Sequence, residues 1–140
     1  MLDPNQTALD FAARRVARYR PEKYLRNVLE TISIDAEKYD SVGINYLLHC
    51  LPGPFEAKVV AFDHLKEMMN RNAVLFGSTL LHGGVPRNWF AQFLMGIYNR
   101  KGIFSNRNDS LADLDSALRE RFRDVSLESV GCAALFSGRV

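Results

Sequence analysis

The chain has 140 residues, of which 47% are hydrophobic and 24% charged, and its formal net charge is +2. This length predicts a single domain over residues 1–140 with a core large enough to fold without disulfides. The small net charge argues against a nucleic-acid-binding protein, and the hydrophobic content argues against disorder. Apolar runs are too short for a membrane helix, and the residues after Met1 do not resemble a signal peptide. With two cysteines and three scattered histidines, the sequence predicts a cytoplasmic protein without a metal site.

The first half of the chain alternates between helical and strand patterns. Apolar residues recur at helical spacing after Asn5, a good N-cap residue, and predict a first helix. Residues 24–29 predict a short strand, and the largely apolar residues 39–48 predict a longer buried strand. An apolar stripe that starts at Phe55 then predicts a helix ending near Asn70.

The second half continues this alternation. The strands predicted here span residues 73–81, 125–130 and 132–136. One helix is expected from Trp89 onward and another after a cap at Asp109 or Ser110. Because Gly131 alone separates the last two strands, they must form an antiparallel hairpin. The pattern therefore predicts an α/β fold, with a mostly parallel sheet covered by helices and a C-terminal antiparallel hairpin.

Four segments carry a resemblance to a known family. They read YDSVGINYLLHCLPG (39–53), NAVLFGSTLL (72–81), YNRKGIFSN (98–106) and VGCAALFS (130–137). These segments resemble class I S-adenosylmethionine (SAM) methyltransferases, and more narrowly the small-molecule methyltransferases of fungal and bacterial secondary metabolism. The resemblance covers nearly the whole chain and implies a Rossmann-like methyltransferase sheet.

The resemblance also implies positions for a SAM cofactor. The opening LDPN resembles the end of the family's second strand, where an acidic residue accepts hydrogen bonds from the ribose hydroxyls, and Asp3 is the matching residue. The alternative is that Asp3 caps the following helix. Asn27 stands where the family often has an Asp near the adenine amine, and Asn45 lies in the segment that lines the cofactor and substrate cleft.

One family motif is absent from these 140 residues. None of the nine glycines forms the G-x-G-x-G turn after a strand through which the family approaches SAM. The resemblance therefore implies an N-terminally shortened protein without the family's first strand, which lies centrally in the sheet. Such a gap leaves two strand edges unpaired. Either the flanking strands pair directly, or a second copy covers the edges, or the chain folds only with the missing part. Among these, we expect a homodimer.

Two histidines are candidates for catalysis. His49 and His82 follow neighbouring predicted strands, and ligands of open α/β sheets bind beyond the carboxyl ends of strands. A histidine there suits a general base that takes a proton from a hydroxyl or an acidic C–H group. The alternative is that each imidazole merely holds a loop backbone in place.

Aromatic residues are candidates for binding a substrate. Tyr46 lies in the segment that the resemblance places at the cleft, and Trp89, Phe93 and Tyr98 lie on a helix that walls the substrate site in the family. Arg100 follows in a polar loop that would orient a carboxylate or phenolate. The alternatives are core packing for the rings and a solvated loop for the polar residues. An aromatic pocket would suit a polyketide- or terpenoid-like small molecule.

These observations leave three functions open. The sequence favours a natural-product biosynthetic enzyme of methyltransferase ancestry, repurposed for SAM-independent acid–base chemistry such as isomerisation or cyclisation. The second is a SAM-dependent O- or C-methyltransferase of a small metabolite whose site is completed by a dimer. The third is a non-catalytic partner protein that docks through the exposed sheet edge.

Overall fold

The computed structural model describes all residues 1–140 and divides them into two compact units, Met1–Glu37 and Lys38–Val140. The single domain expected from the chain length stays a prediction. None of the helices is long and apolar enough to span a membrane.

The first unit contains a two-stranded parallel sheet and one α-helix. β1 (Leu2–Asp3) pairs with β2 (Tyr24–Leu25), and α1 (Gln6–Arg15) lies between them in the chain. A 3-10 helix over Ala17–Tyr19 follows α1. Asn5 caps α1, as predicted, because its side-chain oxygen accepts a hydrogen bond from the Ala8 N–H.

β2 is shorter than the strand predicted over residues 24–29, and Asn27 is the reason. The Asn27 side-chain oxygen accepts a hydrogen bond from the Leu29 N–H, and its backbone carbonyl accepts one from the Glu30 N–H. These two bonds close a turn, which competes with the extended backbone of a strand.

The second unit has its elements in the predicted order. They are β3 (Tyr39–Asn45), a 3-10 helix (Leu48–Cys50), α2 (Phe55–Lys58), α3 (Val60–Glu67), β4 (Met69–Leu80), α4 (Trp89–Arg100), α5 (Leu111–Arg121), β5 (Arg123–Val130) and β6 (Ala133–Arg139). Of the two cap residues expected for α5, Ser110 is the actual cap, and its hydroxyl accepts a hydrogen bond from the Asp113 N–H.

The four strands of the second unit form one sheet in the order β3-β4-β6-β5. β3 and β4 are parallel, and β6 is antiparallel to both of its neighbours, so β3, β4 and β5 share one direction. The predicted α/β class and the C-terminal antiparallel hairpin are confirmed, and the sheet is mixed, with one parallel and two antiparallel pairings. β3 has a strand on one side only, and β1 and β2 belong to a separate sheet. The strands that would flank the missing first strand therefore do not pair directly with each other in this chain.

The helix predicted from Phe55 to near Asn70 is wrong in its extent. α2 and α3 are separate helices, and β4 begins at Met69 rather than at residue 73. Tyr39 pairs with Met69, and its N–H donates to the Met68 carbonyl, so pairing with β3 extends β4 backwards. A positive φ of 69° at Asn72 accompanies the irregular register of this early part.

The core of the second unit lies between this sheet and the helices α3 and α5. Phe62 of α3 is fully buried, and its ring meets the rings of Phe122 and Phe136 edge to face, with centroids 6.1 Å apart in each case. Leu114 and Leu118 of α5 are also fully buried. This core fixes the carboxyl ends of β3 and β4, where the candidate site lies.

Candidate functional site

The carboxyl ends of β3 and β4 lie side by side because the two strands are parallel. Asn45 is opposite Ser78 in the register, and the Ser78 hydroxyl donates to the Asn45 side-chain oxygen at 3.1 Å. The next residue, Tyr46, has a φ of 56°, and its N–H donates to the Ser78 carbonyl. This turn leaves the Tyr46 ring 57% exposed at the end of the sheet.

His49 is buried in the 3-10 helix that follows β3. Its Nδ1 atom lies 3.3 Å from the Leu80 N–H nitrogen and 3.2 Å from the Thr79 hydroxyl oxygen. A backbone N–H can only donate, so Nδ1 is an acceptor and the proton of the neutral ring sits on Nε2. Burial, and to a lesser extent the Lys58 ammonium, lower the pKa of His49 to about 4.

The neutral His49 ring therefore connects the 3-10 helix that follows β3 to the end of β4. Its backbone N–H also donates to the Thr79 hydroxyl, so both ends of the residue are fixed to one strand. Because Nδ1 is already an acceptor of a backbone hydrogen bond, it is not free to take a proton from a substrate. The catalytic role of His49 stays a prediction, and this geometry favours the alternative of a loop anchor.

Four rings form a chain at this end of the sheet. The His49 ring meets the Tyr46 ring at 5.9 Å and the Phe104 ring at 4.7 Å between centroids, both nearly perpendicular. The Phe104 ring in turn lies 4.9 Å from the Tyr98 ring. Two predicted substrate residues, Tyr46 and Tyr98, are thus connected through His49 and Phe104. Phe104 was not among the predicted substrate-binding residues, although it lies in a segment that carries the family resemblance.

His82 follows β4 and is half-buried. Its backbone N–H donates to the Asp109 carbonyl, as does that of Gly83. Burial, together with the Arg87 and Arg107 guanidinium groups, lowers the pKa of His82 below its ordinary value. His82 is therefore a neutral imidazole in a positively charged setting. No hydrogen bond joins it to His49, which is held by Thr79 and Leu80 instead.

A buried ion pair holds the loop of residues 105–109 at the same end of the sheet. The Lys58 ammonium contacts both oxygens of Asp109, at 2.9 and 2.7 Å, and donates to the Ser105 carbonyl. The Ser105 N–H donates to the His49 carbonyl, and the Asn106 amide donates to the Leu80 carbonyl. This loop, which we call the anchoring loop, thereby connects α2, β4 and the 3-10 helix.

Sequence reasoning missed the ion pair, although a signal for it exists. Lys58 lies within the apolar stripe of Phe55, Val59 and Phe62, three residues after the first and four before the last. An ammonium group on such a buried face needs a charged or polar partner. Burial raises the pKa of Asp109, although the hydrogen bonds and the charge of Lys58 act in the opposite direction.

The predicted aromatic wall on α4 is largely exposed. Trp89 is 78% exposed and Phe93 is 59% exposed, whereas Met95 is the buried residue of this helix. The Trp89 ring contacts only its neighbour, the Phe90 ring, among aromatic groups. Arg100, at the end of α4, is exposed and has no ion-pair partner. The substrate-binding roles of Trp89, Phe93 and Arg100 stay predictions.

The residues predicted to bind SAM in the first unit close local turns. One Asp3 carboxylate oxygen accepts a hydrogen bond from the Asn5 N–H at 2.7 Å. The Asn27 amide donates to Glu30, while its oxygen accepts from the Leu29 N–H. The second Asp3 oxygen has no partner and could accept a ribose hydroxyl, so this position fits the cofactor. The cofactor-binding roles of Asp3, Asn27 and Asn45 stay predictions.

No group of three or more His, Cys, Asp or Glu residues is arranged to hold a metal ion. The absence of a metal site remains an expectation from the sequence.

Comparisons with known proteins show that this α/β chain is similar to methyltransferases. It is 39% identical over 136 residues to methyltransferase aurB of Calcarisporium arbuscula and 35% identical over 136 residues to the demethylluteothin O-methyltransferase of Streptomyces thioluteus. Each alignment covers 97% of this chain and 59% of the relative. The chain is also 35% identical over 139 residues to YbcY of Escherichia coli K12, an alignment that covers 98% of the chain and 72% of YbcY. No family model matches the sequence.

A solved structure confirms the fold. An O-methyltransferase family protein from Burkholderia thailandensis superimposes with a TM-score of 0.68 at 16% identity, over 93% of this chain and 40% of that protein. The chain is thus methyltransferase-like in both sequence and fold. It spans about 60% of the length of the two named methyltransferase relatives.

Proposed function

We propose that this chain provides the substrate-facing part of a methyltransferase that acts on an oxygen atom of a small natural product. The observation that carries the proposal is the 35–39% identity, sustained over 97% of the chain, to two proteins named as methyltransferases. One of these is named for O-methylation of demethylluteothin. The anchored ends of β3 and β4, with the ring chain beside them, are consistent with a preformed small-molecule site.

SAM, when bound, supplies an electrophilic methyl group to such an acceptor. On the first unit, the free oxygen of Asp3 would accept a ribose hydroxyl. On the second unit, Asn45 and Tyr46 would line the cleft at the end of β3. The neutral His82 would take the proton of an acceptor hydroxyl, since it is half-buried and lies beyond the end of β4.

A homodimer is part of this proposal. The outer edge of β3 has no strand beside it and presents backbone N–H and C=O groups for pairing. A second copy that covers this edge would satisfy those groups and bring further residues toward the site. Light scattering on the purified chain tests this step, and a monomer would count against it.

Calorimetric titration of the 140-residue chain with SAM and with S-adenosylhomocysteine tests the cofactor. We expect binding in the micromolar range, weakened in Asp3→Ala and unchanged in Asp10→Ala. Asp10 is the matched control because its carboxylate is exposed on the same unit and pairs with Lys23. If neither ligand binds at millimolar concentration, this chain alone does not transfer methyl groups.

SAM-independent acid–base chemistry is the second candidate, and the setting of His82 favours it. A neutral imidazole next to the guanidinium groups of Arg87 and Arg107 can remove a proton from carbon while the cations stabilise an enolate. Deuterium incorporation next to the carbonyl of an aromatic ketone, measured without SAM, tests this chemistry. The exchange should disappear in His82→Ala and persist in His64→Ala. A chain with neither activity would be a non-catalytic partner protein.

A further inference from the structure

A cavity of about 420 Å³ lies between the segment that precedes α2 and the anchoring loop. Its wall includes Pro54, Asn99, Phe104, Ser105, Arg107 and Asn108. This volume is in the range of pockets that hold drug-sized organic molecules. Of these six residues, the catalytic and cofactor roles discussed above use only Arg107, as one of the two cations that would stabilise an enolate near His82.

The apolar and amide parts of the wall are preformed. Asn99 uses its amide to bond the Met95 carbonyl and the Asn106 side chain, and its oxygen accepts the Asn106 N–H. The Phe104 ring is held between the rings of His49 and Tyr98. A ligand would therefore meet a fixed aromatic surface without first ordering it, which lowers the entropic cost of binding.

Arg107 is the charged group of this cavity, and it has no partner. None of the ion pairs in the chain includes its guanidinium, and no hydrogen bond uses it. The nearest acidic residue in sequence, Asp109, is already neutralised by Lys58. The amide of Asn108 is likewise unused. The cavity thus has one uncompensated positive charge at its rim and an aromatic ring in its wall.

We propose that this cavity binds an aromatic carboxylic acid, with the carboxylate on the Arg107 guanidinium and the ring system against Phe104. A guanidinium group matches a carboxylate in a two-point geometry, and the volume exceeds that of a single benzene ring, so a fused ring system fits. The proposal that this cavity binds an aromatic acid does not depend on the proposed function. The proposal that aromatic acids are the substrate class of the enzyme rests on the proposed function.

Two probes of equal shape test the site: 2-naphthoate, which carries the charge, and 2-naphthamide, which does not. Each is titrated into the 15N-labelled 140-residue chain, and amide chemical shifts report both the place and the strength of binding. We expect 2-naphthoate to shift amides at residues 53, 99 and 104–108 and to bind at least about tenfold more tightly than 2-naphthamide.

The variant Arg107→Gln should lose about tenfold in affinity for 2-naphthoate and keep its affinity for 2-naphthamide. Arg119→Gln is the matched control, because Arg119 lies on α5 in an exposed pair with Asp115, and it should bind both probes like the unmodified chain. Equal affinity for the two probes, unchanged affinity in Arg107→Gln, or shifts that fall elsewhere would each overturn the proposal.

A parallel titration with SAM separates this proposal from the proposed function. Binding of 2-naphthoate without binding of SAM supports the cavity and counts against methyl transfer by this chain. Binding of SAM without binding of 2-naphthoate overturns the cavity and leaves the methyltransferase proposal standing.

Discussion

Lys58 and Asp109 form an ion pair from which water is excluded, with side chains 0% and 1% exposed. All three ammonium protons of Lys58 have acceptors, two on Asp109 and one on the Ser105 carbonyl. An intact pair of this kind adds little net stability, because its attraction offsets the cost of removing two charges from water. Losing one partner is different, since it leaves a buried charge without compensation.

Replacing Lys58 by Met should therefore destabilise the chain by about 3–5 kcal/mol, measured by urea unfolding at neutral pH. The double variant Lys58→Met with Asp109→Leu should recover most of this loss, because no buried charge remains. Arg119→Met is the control for removing a surface cation and should change little. A Lys58→Met variant as stable as the unmodified chain would mean that Asp109 is solvated.

The lowered pKa of His49 predicts that the folded chain loses stability in acid. Its pKa of about 4 in the folded chain lies below the ordinary value of 6.5, so the folded state resists protonation. Above pH 6.5 the His49 ring is neutral in both the folded and the unfolded chain, so it does not change the free energy of unfolding. As the pH falls from 6.5 to 4, only the unfolded chain takes up the proton, so stability declines. Because His49 is buried, the loss is roughly 3 kcal/mol at most.

The variant His49→Asn tests this sensitivity. An Asn side-chain oxygen can accept the Leu80 N–H as Nδ1 does, but it does not titrate. The difference in unfolding free energy between pH 7 and pH 4 should shrink in His49→Asn and persist in His64→Gln. An equal pH dependence in all three proteins would show that His49 does not control it.

At the level of elements, local signals in the sequence predicted most of the fold. Asn5 and Ser110 cap the two helices they were expected to cap, because capping depends on neighbouring residues only. The early start of β4 at Met69 depends on pairing with Tyr39, thirty residues away in the chain, and no local signal encodes it. The same holds for the site: Lys58 and Asp109 are 51 residues apart, and only the fold brings them together.

Gly77 shows how tightly β4 is packed. A Cβ atom there would lie 2.1 Å from the Ile44 carbonyl oxygen of β3 and 2.8 Å from the Phe136 ring of β6. Gly77→Ala should therefore push β3 away from β4 and cost about 3 kcal/mol or more in unfolding free energy. Since Asn45 and His49 depend on β4 for their positions, site geometry should be lost as well.

Gly96 on α4 is the matched control, because a Cβ atom there meets nothing within 4 Å. Gly96→Ala should stabilise the chain by about 0.5–1 kcal/mol, since alanine has the higher helix propensity. Thermal or urea unfolding measures both variants. Equal effects of the two substitutions would contradict the packing of β3 against β4.

At the scale of the whole molecule, the two units differ in what stabilises them. In Met1–Glu37 the buried hydrophobic residues are Leu9, Val28 and Ile32, and the sheet consists of two strands of two residues each. A two-stranded sheet with so little core is only marginally stable in water. The four-stranded sheet of the second unit, by contrast, is packed against α3 and α5.

Hydrogen exchange should therefore separate the two units. Amides of residues 1–37 should exchange through local opening well before those of β4 and β6, whose opening requires the sheet to come apart. Leu9→Ala should remove the remaining protection of α1 and leave that of β4 unchanged, because Leu9 is the buried residue of α1. Equal protection in both units of the unmodified chain would contradict this difference in stability.

The same measurement tests where the cofactor binds. If Asp3 holds the ribose, then S-adenosylhomocysteine binds only when residues 1–37 are folded and should slow their exchange by mass action. The aromatic acid proposed for the Arg107 cavity should instead protect residues 104–108, because its contacts lie there. Protection of residues 1–37 by 2-naphthoate, or none by a saturating cofactor product, would show that the first unit does not carry the cofactor's binding energy.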